Sequence, residues 1–127
     1  MGLNNRVNLP WTTVATDSTS EVFIPATGWM SSESVGSGRG WLELRGAMSG
    51  LSVAVAIETA NDVTTPDTPH VKIQALVAAN GVSDPDSTTT TLTTAGQKFI
   101  RVGFAVKASS ASLRVGRVSG VAELFDA

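Results

Sequence analysis

The chain has 127 residues, of which 16% are charged, with a formal net charge of −2, one histidine and no cysteine. That length suits one domain whose core needs no covalent staple, and the missing cysteine excludes a disulfide framework, a thiolate metal site and a cysteine nucleophile. A near-neutral balance with no run of basic residues lacks the footprint of a nucleic-acid or membrane-surface binder, and no apolar run nears the ~20 residues of a spanning helix. The opening "MGLNNRVNLPW" has no apolar signal core, so the chain is expected to be an intracellular product or one released by a route other than secretion.

Residues 1–9, apolar only at Leu3, Val7 and Leu9, read as an N-terminal arm outside the core, with the folded domain over 10–127. Short strands are predicted at Trp11 to Ala15, Glu21 to Ile24 and Trp29 to Val35. In "GWLELRGA", Leu42 and Leu44 alternate with Trp41, Glu43 and Arg45, the period of two that marks a strand. In "SGLSVAVAIET", Leu51, Val53, Val55 and Ile57 oppose Ser52, Ala54, Ala56 and Glu58, and the alanines predict that the second face is also covered. "HVKIQALVA" alternates Val71, Ile73, Ala75 and Val77, the threonine run Thr88 to Thr93 suits a pleated surface, and "KFIRVGFAVKAS" alternates Ile100, Val102, Phe104 and Val106. Between Ser112 and Phe125 the apolar parity changes, which predicts a bulge near Gly116.

"PATG", "GSGRG", "MSG", "NG" and "TAG" read as turns between these strands, and no window shows a helical period. With 29 serines and threonines and 12 glycines, the chain is expected to be all-β. The predicted architecture is a single antiparallel β-sandwich, jelly-roll or immunoglobulin-like, of about eight or nine strands with an N-terminal arm.

"ETANDVTTPDTPHVK" gathers Glu58, Asp62, Asp67 and His70, the composition of a catalytic loop. A Ser-His-Asp hydrolase would rest on His70 alone, and neither a GxSxG elbow nor a Walker loop occurs, so no enzyme and no cofactor are expected. Zinc is excluded by ligand type. Calcium needs only oxygens, which Asn61, Asp62, Asp67, Asp84 and Asp86 offer, but the spacing of a calcium loop is missing and turn chemistry explains these residues better. Glu43 and Glu58 form either a carboxylate pair for glycoside chemistry or, more simply, cross-strand ion pairs with Arg45 and Lys72. Trp11, Trp29 and Trp41 offer a sugar-stacking platform, while large aromatics more often fill a core, so at least two are expected at the ends of the sandwich.

Arg45, Lys72, Arg101, Lys107, Arg114 and Arg117 fall in predicted strands, and Asp17, Asp62, Asp67, Asp84 and Asp86 in predicted loops. This gives a basic sheet face with acidic loop tips, suited either to orienting the protein on a larger partner or to plain solubility. The succession "IPATGWMS", "WLELRGAMSGLSVAVAIETANDVTTPDTP", "NGV" and "GQKFIRVGFAVK" resembles the small β-rich virion proteins of tailed bacteriophages, in particular head decoration or accessory capsid proteins. The resemblance implies a non-enzymatic sandwich, made in the host cytoplasm, that binds the capsid exterior and reinforces it. Its partner would be the major capsid protein or another virion protein, with a homo-oligomer such as a trimer compatible, and neither nucleic acid nor membrane involved. The expected contact residues are Leu3, Val7, Leu9 and Trp11 of the arm, with Arg45 and Arg101 of the cationic strands. The alternatives are a carbohydrate-binding module and a tail or baseplate fibre component.

Overall fold

Period-two alternation becomes strand structure along most of the chain. The structure is a computed structural model and describes residues 4–31, 35–61, 70–82, 90–92 and 98–126. The described residues form ten strands and no helix: β1 (Asn4–Thr16), β2 (Val22–Pro25), β3 (Met30–Ser31), β4 (Val35–Arg45), β5 (Leu51–Ala60), β6 (Val71–Lys72), β7 (Gly81–Val82), β8 (Thr90–Thr91), β9 (Phe99–Ala108) and β10 (Arg114–Asp126). They make two antiparallel sheets, as expected of a sandwich. The front sheet runs β1-β10-β4-β7, with β8 also on β4; the back sheet runs β2-β9-β5-β6, with β3 also on β9.

The core between the sheets is aliphatic, with Phe104 the largest fully buried side chain beside Leu42, Leu44, Leu51, Ile57, Ile73 and Ile100. Each such residue contributes about 1.5–3 kcal/mol by leaving water. No tryptophan belongs to this core, contrary to the expectation that two would fill its ends. Trp41 takes the outward parity of β4, opposite Leu42 and Leu44, and "GSGRG" is no turn but the first half of that strand. Gly38 and Gly40 share the inward face with Leu42 and Leu44, and a Cβ on Gly40 would stand 3.0 Å from the Cβ of Val55. One on Gly116 would meet Leu51 at 2.8 Å. Back-sheet aliphatics therefore sink into glycine gaps of the front sheet.

The arm expectation also fails where the chain is described. Asn4 to Leu9 pair with β10 from Phe125 to Gly120, and Leu9 is 2% exposed. Sequence parity concealed this because Pro10 and Trp11 oppose the single residue Ser119, between the pairs Leu9↔Gly120 and Thr12↔Val118. That β-bulge switches the inward set from Val7 and Leu9 to Val14 and Thr16. It sits on an edge strand, where a proline without an N–H is tolerated. The predicted bulge near Gly116 is absent: Gly116 continues the inward set of Val118, Gly120, Ala122 and Leu124, while Leu113 faces solvent. The strand predicted over 70–78 shrinks to β6. Beyond it the Gln74 side-chain oxygen accepts the Val55 N–H at 3.1 Å, replacing a backbone rung before Val77 bridges to Val53.

Candidate partner-binding face

The outer faces of the two sheets are built differently. On the back sheet, register aligns Phe23, Ala105 and Ala54 across three strands, and Pro25, Gly103, Ala56 and Lys72 across four. The centre of this face is thus a trough of alanine and glycine, as the alanine parity of β5 anticipated. Its edges, β2 and β6, lie three strand spacings or roughly 14 Å apart. Larger side chains lean over the trough from both edges: the Phe23 and His70 rings stack with centroids 5.9 Å apart. Glu21 accepts hydrogen bonds from Lys72 Nζ at 2.6 Å and is 3.0 Å from His70 Nε2. Arg101 closes the canopy, with its guanidinium 4.5 Å from the Trp29 ring centroid, 5.7 Å from that of Phe23, and 2.7 Å from Glu58. Ala54, Ala56 and Ala105 are fully buried beneath.

Burial pushes the Glu21 carboxyl up, but hydrogen bonds from Lys72 and His70, with the Lys72 and His70 charges, outweigh it and hold the group below the usual carboxylate range. His70 is thus held by Glu21 and stacked on Phe23, and among the described residues it does not face a serine hydroxyl.

Among the described residues the front sheet has no such alanine and glycine trough at its centre. Its central strands carry large residues outward: Trp41, Glu43 and Arg45 on β4, and Arg117, Val121 and Phe125 on β10. Arg39 is 3.1 Å from Glu123 and lies over Phe125, and Arg6 lies over the Trp41 ring at 5.1 Å. Val82 on β7 is 65% exposed and borders a cavity of about 210 Å³ with Trp41, Glu43 and Val121. A second depression, of about 200 Å³, is lined by Trp11, Arg45 and Arg117. The β1 bulge aims Trp11 into it, so a local backbone irregularity places an indole on a face that regular pairing would have denied it.

The sequence-predicted residues scatter accordingly. Leu9 is core, Val7 packs against the core, and Leu3 lies outside the described residues. Trp11 and Arg45 share the front face, where Arg45 pairs with Glu43. Arg101 lies on the opposite face, inside the canopy. The predicted single basic face is therefore two: Arg45 and Arg117 point out from the front sheet, Lys72, Arg101 and Lys107 from the back. Glu43 and Glu58 likewise sit on the outer faces of different sheets and cannot act on one substrate; Glu58 pairs with Arg101 and Lys72 with Glu21, not with each other. Asp62, Asp67, Asp84 and Asp86 lie outside the described residues, and no cluster of three metal-ligating side chains occurs among those described. Arg6 and Arg39 escaped sequence reasoning as contact candidates; for Arg39 the signal available was the parity of β4, which puts it on one side with Trp41, Glu43 and Arg45.

Sheets, strand order and core together define an antiparallel two-sheet β-sandwich. No family model matches the chain, and none of the curated proteins matches it in sequence. Among solved structures it is similar to a chain of the infectious bursal disease virus Gx strain, with a TM-score of 0.61 at 12% identity over 98% of this chain. The same virus's VP2 subviral particle gives a TM-score of 0.61 at 12% identity over 98% of this chain. T=1 particles derived from that virus give 0.55 at 13% identity over 99%. This chain spans 32% of the length of the first two virus chains and 36% of the third.

Proposed function

We propose that this chain is a non-enzymatic structural protein of a virion, which decorates an assembled capsid of a tailed phage and reinforces it from outside. The observation that carries the reading is the match of nearly the whole sandwich, 98% of the chain, to chains of infectious bursal disease virus particles. Strand order supports a jelly roll: the first strand lies beside the last, and the rows β1-β10-β4-β7 and β2-β9-β5-β6 are those that nested Greek keys produce. The front face is the contact we assign to the partner, the major capsid protein or another virion protein. It exposes tryptophan and arginine, the residues most often found as interface anchors, whereas the back face is covered by its own canopy.

A protein that binds only the assembled lattice adds its binding free energy to lattice stability by mass action. Neighbouring copies around a lattice symmetry axis, as in a trimer, would multiply that effect. Co-sedimentation of the purified chain with capsids lacking it tests the reading. Saturable pelleting that Arg45→Glu abolishes is expected. Retention of the chain in the supernatant at all concentrations would contradict it.

A further inference from the structure

We propose that the depression lined by Trp11, Arg45 and Arg117 binds a single carboxylated sugar ring, of the uronic-acid or sialic-acid class. This goes beyond the virion reading and does not rest on it.

Three observations converge there. Arg45 and Arg117 are direct partners in the β4–β10 register, and like charges directly opposite one another on a sheet are destabilising. Glu43 neutralises Arg45, whose side chain remains 71% exposed, while no carboxylate among the described residues reaches Arg117. An anion seated between the two relieves the repulsion, and the planar guanidinium fork matches a carboxylate in geometry.

The second observation separates Trp11 from the other tryptophans. Trp41 carries Arg6 over its ring and Trp29 carries Arg101. Trp11 has no guanidinium over its ring among the described residues and is 43% exposed. It is also the one that the bulge turns towards two arginines. An indole left uncovered beside cationic groups suits a ring with an apolar face and an acidic substituent.

The third observation is size. About 200 Å³ lies below the roughly 300 Å³ at which pockets for drug-sized ligands begin, so the depression seats one ring against Trp11 and the two arginines. A nucleotide would also use an indole and two arginines. Proteins that follow a phosphate backbone present a basic track, however, whereas this chain carries a net charge of −2 and only a two-arginine spot here.

Saturation-transfer NMR on the full chain tests the proposal, with glucuronic acid and N-acetylneuraminic acid as probes and glucose and adenosine monophosphate as controls. Both acids should bind through ring protons, and more weakly as salt is raised. Trp11→Ala and Arg117→Gln should each weaken binding roughly tenfold, equivalent to about 1.4 kcal/mol. Trp11→Phe and Arg117→Lys, which keep a ring or a charge, should retain part of the affinity and guard against misfolding of the harsher variants. No binding of either acid, equal binding of glucose, tighter binding of the nucleotide, or affinity unchanged by Trp11→Ala and Arg117→Gln would each overturn it.

Discussion

The outer face of the back sheet is closed by the protein's own side chains, whereas among the described residues that of the front sheet keeps Trp11, Val82 and Arg45 exposed. Both carry arginine, glutamate and tryptophan, so composition does not separate them. What differs is the residue beneath. Over the back sheet, alanine and glycine leave room for Phe23, His70 and Arg101 to pack together, converting charged side chains into cover for the fold. Over the front sheet, Trp41, Val121 and Phe125 already fill the strand surface, so Arg6 and Arg39 rest on top of the Trp41 and Phe125 rings, while Trp11 and Arg45 stay exposed beside them. A face that satisfies itself contributes stability; one that does not is where binding is expected.

The sharpest way to break this contrast is at the front-sheet edge. Deleting residues 1–9 removes buried Leu9 and uncovers half of β10, so the melt of the isolated domain should fall by more than about 3 kcal/mol in denaturant unfolding. A free arm would leave it unchanged. Next comes the canopy: Arg101→Ala strands Glu58, whose side chain is only 11% exposed, and should cost about 2–3 kcal/mol by the same measurement.

A smaller effect, of less than about 1 kcal/mol, is expected at the partly exposed Glu21 cluster. Because the folded protein holds the Glu21 carboxyl below its ordinary range, its stabilisation is complete above that range and is lost as pH falls through the lowered value. Wild type and Glu21→Gln should therefore differ in melting temperature at neutral pH and converge in acid. The smallest stability effect belongs to the open face. Trp11→Ala should stay within about 0.5 kcal/mol of wild type in unfolding, while its capsid binding in co-sedimentation falls roughly tenfold or more.

Much of the fold was legible because β5 and β9 are both central strands of the back sheet, where period-two alternation reports burial directly. The central glycines of the front sheet misled. In "GSGRG" they resemble turn punctuation, and their role appears only once Val55 is known to press on Gly40. β1 was hidden by its bulge, since Leu9 and Val14 lie on opposite parities yet share one core. The site was harder still. Trp11 and Arg45 were visible as candidates, but that Arg101 and Arg45 belong to opposite faces depends on sheet membership, which alternation within a strand cannot convey. The pairing of Glu21 with Lys72 and His70 joins residues some fifty positions apart across a whole sheet, with no local trace of it.

The most direct test of the open-face account is hydroxyl-radical footprinting of the chain, free and bound to capsids. Trp11, Trp41 and Phe125 should be protected on binding, with Phe23, Trp29 and His70 unchanged. Protection of the back-face set instead, or of neither, would contradict it.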